Sequence, residues 1–333
     1  MAEPPLPQPS SIGTDARPDA AFDSATSAED ELGIVVVGHG EQMPFSKGLL
    51  SQSLLAAAME PGQAMAVARD IEHELVASGI HRIDRADLRE LAHRVIQHRA
   101  GDELAARYLL WRRYRESDRP VVLLLAGTSG VGKTSLSLEV ARRLGIGRVQ
   151  STDSIRQIMR LLIPEELVPA IHASSYEAHE KLPRGVGAPP SVIDGFRAQA
   201  AAVSIGVRAS IERTISESAH LVIDGVSIVP DLLDLAAYRE AAEVVLLVVA
   251  TRDEEALRSR FHARAVVQGR RTPHRYIDHL EGILAIQRHL LELAERCDVP
   301  VVDNTSFDRS VQSIIAHVMA RLGAGAQVAT SAA

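Results

Sequence analysis

Residues 121–135 read VVLLLAGTSGVGKTS, and this stretch decides how the rest of the chain can fold. Val121–Ala126 is a run of six apolar residues, which is typical of a fully buried parallel strand. It leads directly into GTSGVGKT at residues 127–134, which has the spacing of a phosphate-binding loop and opens a helix. Strand, glycine-rich loop and helix in this order predict an α/β fold built around a nucleoside triphosphate.

The loop supplies the groups that a polyphosphate needs. Its glycines let consecutive backbone N–H groups turn inward, and the helix N-terminus adds a favourable dipole. Lys133 is predicted to reach the β- and γ-phosphates, and Thr134 to ligate Mg²⁺. The alternative is an ordinary glycine turn between a strand and a helix. The predicted contacts to the nucleotide are Gly127, Thr128, Ser129, Gly130, Val131, Gly132, Lys133, Thr134 and Ser135.

Composition excludes several classes of protein. The chain has 333 residues, 46% of them hydrophobic, which suggests about two domains with a sizeable core. The longest apolar runs, 121–126 and 244–250, are too short to span a bilayer, so no membrane partner is expected. The single Cys297 and a start without the features of a secretory signal predict a reducing, cytoplasmic setting. The net charge of −7 is carried almost entirely by residues 1–32, so no nucleic-acid partner is expected.

The pattern along the chain predicts four segments. Residues 1–32 are acidic and rich in proline, which predicts a disordered tail. Residues 33–116 predict a mostly helical module of about four helices with one strand pair at most, with helix caps at Ser46, Asp84 and Asp102. Residues 117–322 alternate strand and helix, and the small residues of 323–333 predict a second disordered tail.

The alternating region predicts a parallel sheet of five strands in a three-layer α/β core. Two long excursions, 153–219 and 251–297, leave this sheet, and such excursions are usually lids or substrate clamps. The predicted strands are Val121–Ala126, Arg148–Ser151, Leu221–Asp224, Val244–Ala250 and Val299–Val302.

Two acidic residues follow predicted strands. Ligands gather at the carboxyl ends of parallel strands, so Asp153 should lie beside the phosphate loop, where it could orient an acceptor hydroxyl or take its proton. Arg156, three residues later, could pair with an anionic substrate. The competing interpretation makes Asp153 a helix cap and Arg156 a surface residue. Asp224 ends an apolar strand, as expected of a carboxylate that positions Mg²⁺.

Arginines are concentrated in the second excursion. Arg260 and Arg264 share a helix face, and Arg270 and Arg271 lie in a loop that could close over the site. Cations at this place neutralise charge on the transferring phosphate, so Arg260 and Arg264 are predicted to be catalytic and Arg270 and Arg271 to bind substrate. The alternative is a solvated basic helix. The histidines lack metal-ligand spacing, so no transition-metal site is predicted.

Several motifs together resemble archaeal-type 2-phosphoglycerate kinase over about residues 33–322. They are MPFSKG at 43–48, YLLWRR at 108–113, GTSGVGKT at 127–134, STDSIRQIMR at 151–160, SSYEA at 174–178 and DGV at 224–226. The resemblance implies an N-terminal ATP-cone-like domain and a P-loop kinase domain similar to nucleoside monophosphate kinases. It also implies ATP-dependent phosphorylation of 2-phosphoglycerate to 2,3-bisphosphoglycerate.

Two departures from the family pattern stand out. The turn after the first strand is GHGE at 38–41, which lacks the cations of the Lys-Arg-Asp-Gly-like turn in nucleotide-sensing ATP-cones. We therefore expect a second nucleotide site in the N-terminal module to be absent or weak, and the module to serve as a packing or oligomerisation platform. The third-strand acid, often Glu in the family, is Asp224 here.

The sequence therefore predicts a cytoplasmic kinase that uses ATP and Mg²⁺ and acts on a small phosphorylated acceptor. One rival is a kinase of the same fold acting on another hydroxy acid or a polyol. A second is a nucleotide-dependent regulatory protein with little turnover. The oligomeric state, a homo-oligomer included, stays open.

Overall fold

The computed structural model describes residues 33–38, 40–184, 188–268 and 276–331, and side-chain surroundings within these ranges except at 262–268 and 326–331. The predicted acidic tail, residues 1–32, lies outside them. Within the described residues, none of the helices combines the length and the apolar character needed to cross a membrane.

The N-terminal module combines a small sheet with helices. Its strands are β1 (Val35–Gly38), β2 (Glu41–Pro44) and β3 (Arg82–Asp84), in the order β2-β1-β3. β2 pairs antiparallel and β3 parallel to β1, so the prediction of one strand pair at most is wrong. β3 is only three residues long and buries Ile83 alone between two charged residues, which leaves no alternating pattern to read. The helices are α1 (Lys47–Leu55), α2 (Pro61–Ala77), α3 (Arg85–Ala100) and α4 (Asp102–Arg115).

The three predicted helix caps have different outcomes. Ser46 caps α1, because its Oγ accepts a hydrogen bond from the backbone N–H of Leu49 at 3.3 Å. Asp84 occupies the cap position of α3 but its side chain makes no capping hydrogen bond. Asp102 is the first residue inside α4, and the cap is Gly101 with φ of 90°. The prediction for Asp102 is therefore wrong, because glycine adopts this left-handed conformation without strain.

The second part of the chain contains the predicted parallel sheet. Its strands are β4 (Val121–Ala126), β5 (Val149–Ser151), β6 (Leu221–Gly225), β7 (Glu243–Ala250) and β8 (Val301–Asp303). They lie in the order β5-β6-β4-β7-β8, and every neighbouring pair is parallel. The strand that precedes the phosphate loop is thus central and wholly buried, as six consecutive apolar residues require. The predicted α/β fold is confirmed.

Helices flank this sheet and bury most of the core. The N-terminal module has its own apolar cluster, which includes Leu54, Ile71 and Tyr108. Short 3-10 helices at Pro169–His172, Ala178–Lys181 and Leu235–Tyr238 join longer elements. The helices are α5 (Lys133–Leu144), α6 (Thr152–Leu162), α7 (Val192–Ser216), α8 (Glu254–Gln268), α9 (Leu280–Arg296) and α10 (Phe307–Ser331).

The end of the chain differs from its prediction. α10 continues to Ser331, where the sequence predicted a disordered tail from Gly323. Leu322 is fully buried, and its carbonyl accepts a hydrogen bond from the Tyr114 hydroxyl at 3.4 Å. Gly325 packs so closely that a Cβ there would lie 2.7 Å from the carboxylate of Glu243. The small residues are therefore packing positions on a helix at this point.

Candidate active site

The phosphate loop connects β4 to α5 and is fixed by close packing. Gly127 has φ of 145°, and a Cβ there would lie 2.3 Å from the carbonyl oxygen of Val249. Gly130 has φ of 88°, and its Cβ would lie 2.4 Å from the ring of Phe261 on α8. Only glycine fits these two positions, since any side chain would clash with backbone or a buried ring. The loop is therefore held between the end of β7 and α8.

A buried asparagine holds the loop from the other side. Asn304 follows β8 and is 6% exposed, and its Nδ2 donates a hydrogen bond to the carbonyl of Val131 at 2.8 Å. A Cβ at Gly132 would lie 2.7 Å from the same Nδ2. The backbone N–H of Asn304 in turn donates to the carbonyl of Ala250 at 2.8 Å. Asn304 thus links the loop carbonyl of Val131 to the carboxyl end of β7.

The same hydrogen-bond network extends to the helices that border the second excursion. Arg260 on α8 donates to Thr251 Oγ1 at 3.0 Å and to the backbone carbonyl of Asn304. The Gln287 side chain on α9 bonds both backbone groups of Thr251, accepting at 3.1 Å and donating at 3.0 Å. The Thr128 hydroxyl donates to the carbonyl of Ile283, also on α9, at 3.3 Å. α8 and α9 are therefore bonded to the loop and its surroundings.

Arg260 thus has structural partners in this conformation. Its predicted contact with the transferring phosphate stays a prediction. The side chain of Arg264, and Arg270 and Arg271 entirely, lie outside the described residues.

Lys133 and Thr134 stand at the start of α5 as the motif requires. Lys133 Nζ donates a hydrogen bond to the carbonyl of Thr128 at 2.7 Å. Thr134 Oγ1 donates to Asp224 Oδ2 at 2.8 Å. β6 lies directly beside β4, with Asp224 opposite Leu125, so its carboxylate emerges next to the loop.

The Asp224 carboxyl is nearly inaccessible, at 2% exposure. Burial raises its pKa above the ordinary value, and the charge of Asp153 adds to this, whereas the Thr134 hydrogen bond and the charge of Lys133 lower the pKa. A hydroxyl and a carboxylate are both hard oxygen ligands, and here they meet at the mouth of a phosphate loop. The pair therefore suits Mg²⁺, and its role as a metal site stays a prediction.

Asp153 lies in the first turn of α6, and it is not the cap. The cap is Ser151, whose Oγ accepts from the backbone N–H of Ser154 at 3.1 Å. Ser151 is opposite Asp224 across the β5–β6 pair, which brings Asp153 to the same edge of the sheet. The Asp153 side chain is 73% exposed. The capping alternative for Asp153 is thus wrong, and its carboxylate faces solvent near the phosphate loop.

Arg156 connects Asp153 to the segment after α6. Its guanidinium lies 3.5 Å from Asp153 Oδ1 and donates to the carbonyls of Ile171 at 3.2 Å and Ala173 at 2.8 Å. These bonds anchor the segment that carries the first 3-10 helix. The predicted contact of Arg156 with an anionic substrate stays a prediction.

Sequence reasoning missed Asn304, Thr251, Gln287 and Phe261. The sequence held one signal for them: Thr251 and Asn304 come directly after or close to the ends of predicted strands, where ligand-supporting groups gather. Gln287 and Phe261 lie in helices with no such signal.

The N-terminal module contains a cavity of about 500 Å³ that also reaches α5. The hairpin turn has no cation, but the Arg85 side chain packs on Gly38, where a Cβ would lie 2.5 Å from it. The turn itself carries no Lys or Arg, and the arginines around the neighbouring cavity come from helices. The expectation that a second nucleotide site is absent or weak stays a prediction. The arginines that line the cavity are Arg85, Arg89, Arg112, Arg115, Arg142 and Arg143.

Comparison with known proteins gives consistent matches. Residues 34–117 match the family model described as the ATP cone domain. A 2-phosphoglycerate kinase from Pyrococcus furiosus is 34% identical over 278 residues, covering 84% of this chain and 90% of that protein. The 2-phosphoglycerate kinase from Methanocaldococcus jannaschii is 38% identical over 289 residues, covering 87% of this chain and 92% of that protein.

Solved structures match at lower similarity. A gluconokinase from Sinorhizobium meliloti aligns with 17% identity and a TM-score of 0.35, covering 61% of this chain and 95% of that one. A shikimate kinase from Bacteroides thetaiotaomicron aligns with 16% identity and a TM-score of 0.32, covering 61% of this chain and 98% of that one.

Proposed function

Because the chain belongs to the 2-phosphoglycerate kinase family, we propose that it transfers the γ-phosphoryl group of ATP to 2-phosphoglycerate, forming 2,3-bisphosphoglycerate and ADP. The observation that carries this proposal is the Thr134–Asp224 hydrogen bond of 2.8 Å beside a complete phosphate loop. A buried carboxylate at this place has a use in phosphoryl transfer and is costly otherwise, since ionised groups are disfavoured in the interior.

The nucleotide is held by the loop. Backbone N–H groups from 127 to 135 surround the phosphates, and Lys133 Nζ exchanges the carbonyl of Thr128 for phosphate oxygens. Thr134 Oγ1 and Asp224 would hold Mg²⁺, which when bound neutralises charge on the β- and γ-phosphates.

The acceptor approaches from the α6 side. Its free hydroxyl oxygen attacks the γ-phosphorus, the bond to the β–γ bridging oxygen breaks, and ADP leaves with the bonding electrons. Asp153 orients the hydroxyl and accepts its proton, a role that its exposed carboxylate permits. Arg156 lies 3.5 Å from Asp153, within reach of an anionic group on the acceptor. Arg260, Arg264, Arg270 and Arg271 belong to the same proposal as groups that close over the transferring phosphate.

An acceptor panel tests the proposal. Purified protein is incubated with ATP and Mg²⁺, with 2-phosphoglycerate, 3-phosphoglycerate, gluconate, glycerate or no acceptor, and products are identified by mass. Of the acceptors in the panel, only 2-phosphoglycerate is expected to give ADP and 2,3-bisphosphoglycerate. The Lys133→Ala variant is expected to form neither product. Turnover with a different acceptor favours the rival kinase of the same fold. ATP binding without turnover on any acceptor favours the regulatory protein.

A further inference from the structure

Gln199 is a polar side chain on α7 that is only 1% exposed. Its Nε2 donates hydrogen bonds to two backbone carbonyls, that of Ala170 at 2.6 Å and that of Ala173 at 2.9 Å. A glutamine amide has two N–H donors, so both are used. The two carbonyls lie 29 and 26 positions away in the sequence. Gln199 therefore attaches the segment after α6 to α7, and its bonds do nothing for its own helix.

Arg156 binds the same segment from α6. Its Nη1 donates to the carbonyls of Ile171 at 3.2 Å and Ala173 at 2.8 Å, while its Nη2 lies 3.5 Å from Asp153 Oδ1. The carbonyl of Ala173 thus accepts hydrogen bonds from both Gln199 and Arg156. Because the guanidinium is a rigid planar group, the positions of the two carbonyls that Nη1 contacts fix the direction in which Nη2 points.

We propose that Gln199 is a positioning residue for phosphoryl transfer. It holds the carbonyls of residues 170–173 in the place from which they orient Arg156 toward Asp153 and toward an anionic group of the acceptor. The line of contacts begins at a buried amide and ends at a carboxylate that is 73% exposed. Gln199 acts through Arg156, and the inference rests on the proposed function.

The segment has other anchors on both sides of these bonds. The His172 ring, through Nε2, is bonded to the carbonyl of Ile163 at 2.9 Å. Further along, Glu177 Oε1 lies 3.1 Å from His279 Nε2. Loss of the Gln199 bonds is therefore expected to shift the carbonyls that Arg156 uses without detaching the segment. Misplacing a positioning group by about 1 Å can lower a rate by about a hundredfold, so a shift of this kind is measurable.

Steady-state kinetics of the full chain test the proposal. Gln199→Met keeps the length of the side chain and removes both donors. With the acceptor that the wild type phosphorylates, kcat/KM is expected to fall about tenfold, while the KM for ATP changes less than about twofold. Thr214→Val is the matched control on the same helix, since it removes a buried hydroxyl that donates to the carbonyl of Ser210 at 2.8 Å. This control should leave kcat/KM unchanged.

A double-mutant cycle with Arg156→Ala separates positioning from a general structural role. In the Arg156→Ala background, Gln199→Met should lower kcat/KM by less than about twofold, because the group that Gln199 positions is gone. An equal loss in both backgrounds overturns the proposal, and so does a Gln199→Met or an Arg156→Ala variant with wild-type kcat/KM. These outcomes leave the proposed function standing if the wild type turns over 2-phosphoglycerate. A wild type without turnover on any acceptor overturns both.

A second variant covers the case in which Gln199→Met does not fold. Gln199→Asn keeps the amide but is one methylene shorter, so it cannot reach both carbonyls. It is expected to show the same dependence on Arg156, and circular dichroism of each variant confirms that the chain is folded. A folded Gln199→Asn variant with wild-type kcat/KM overturns the proposal.

Discussion

Asn304→Ala is expected to loosen the phosphate loop, and the cost follows from the hydrogen bond that the change removes. The 2.8 Å bond to the Val131 carbonyl disappears, whereas the backbone bond to Ala250 stays in place. A buried carbonyl deprived of its donor costs about 1 to 3 kcal/mol. If the loop keeps its position, this cost lowers the free energy of unfolding. If the carbonyl turns toward water, ATP binding must restore the loop and its affinity falls about 5- to 150-fold.

The two measurements together test this reasoning. Urea titration gives the loss of unfolding free energy, calorimetric titration with ATP gives the loss of binding free energy, and the two losses should total about 1 to 3 kcal/mol. Thr305→Ala, at the exposed neighbouring residue, is the control and should change neither quantity. Asn304→Asp should be worse than Asn304→Ala, because it places a carboxylate against the Val131 carbonyl. If the summed loss of unfolding and binding free energy for Asn304→Ala is no larger than that for Thr305→Ala, Asn304 does not stabilise the loop.

Three further outcomes are expected. Lys133→Ala should lower turnover roughly a hundredfold or more, since one such contact typically contributes about 3 to 4 kcal/mol to transition-state stabilisation. The urea midpoint of this variant should stay unchanged. Near-normal turnover would show that Lys133 has no role in the site. Asp153→Asn should reduce kcat much more than ATP affinity, and because Ser151 holds the cap, a silent variant would mean that Asp153 has no part in the reaction. Asp224→Asn should abolish Mg²⁺-dependent turnover yet stabilise the free protein at neutral pH. The folded-state pKa of Asp224 is raised, so its ionisation costs stability as pH rises from the ordinary pKa through the raised one. Urea titrations across pH should show the advantage of the variant disappearing below that interval, and equal stability at every pH would contradict the assigned pKa shift.

Much of the site was predictable because local sequence determines it. Six apolar residues dictate a central buried strand, and the spacing of glycines with Lys133 dictates the loop. The position of Asp224 beside the loop could be predicted because an apolar strand ends in this acid, and parallel strands bring their carboxyl ends to one edge. In each case the residues that define the feature are near one another in the chain or related by a simple topological rule.

The remaining parts depend on contacts between distant residues. Asn304 and Val131 are 173 positions apart, and nothing in either neighbourhood specifies their pairing. β3 forms because β1 supplies a partner for three residues that carry no strand pattern of their own. Gly325 is a packing position because it lies against Glu243, which is distant in the sequence. Single-sequence patterns do not contain such pairings.

The order of strands in the sheet determines how long each strand waits for its neighbours while the chain is being synthesised. β4 lies between β6 and β7, which the ribosome makes much later; Val121 and its hydrogen-bond partner His220 are 99 residues apart. At about 5 to 20 residues per second, the most apolar strand waits roughly 5 to 20 s for its first neighbour. The strands and helices of the N-terminal module are complete by residue 115. The module can therefore fold during that interval. Slow decoding between residues 126 and 221 would therefore lengthen the exposure of β4 and increase its recruitment of chaperones.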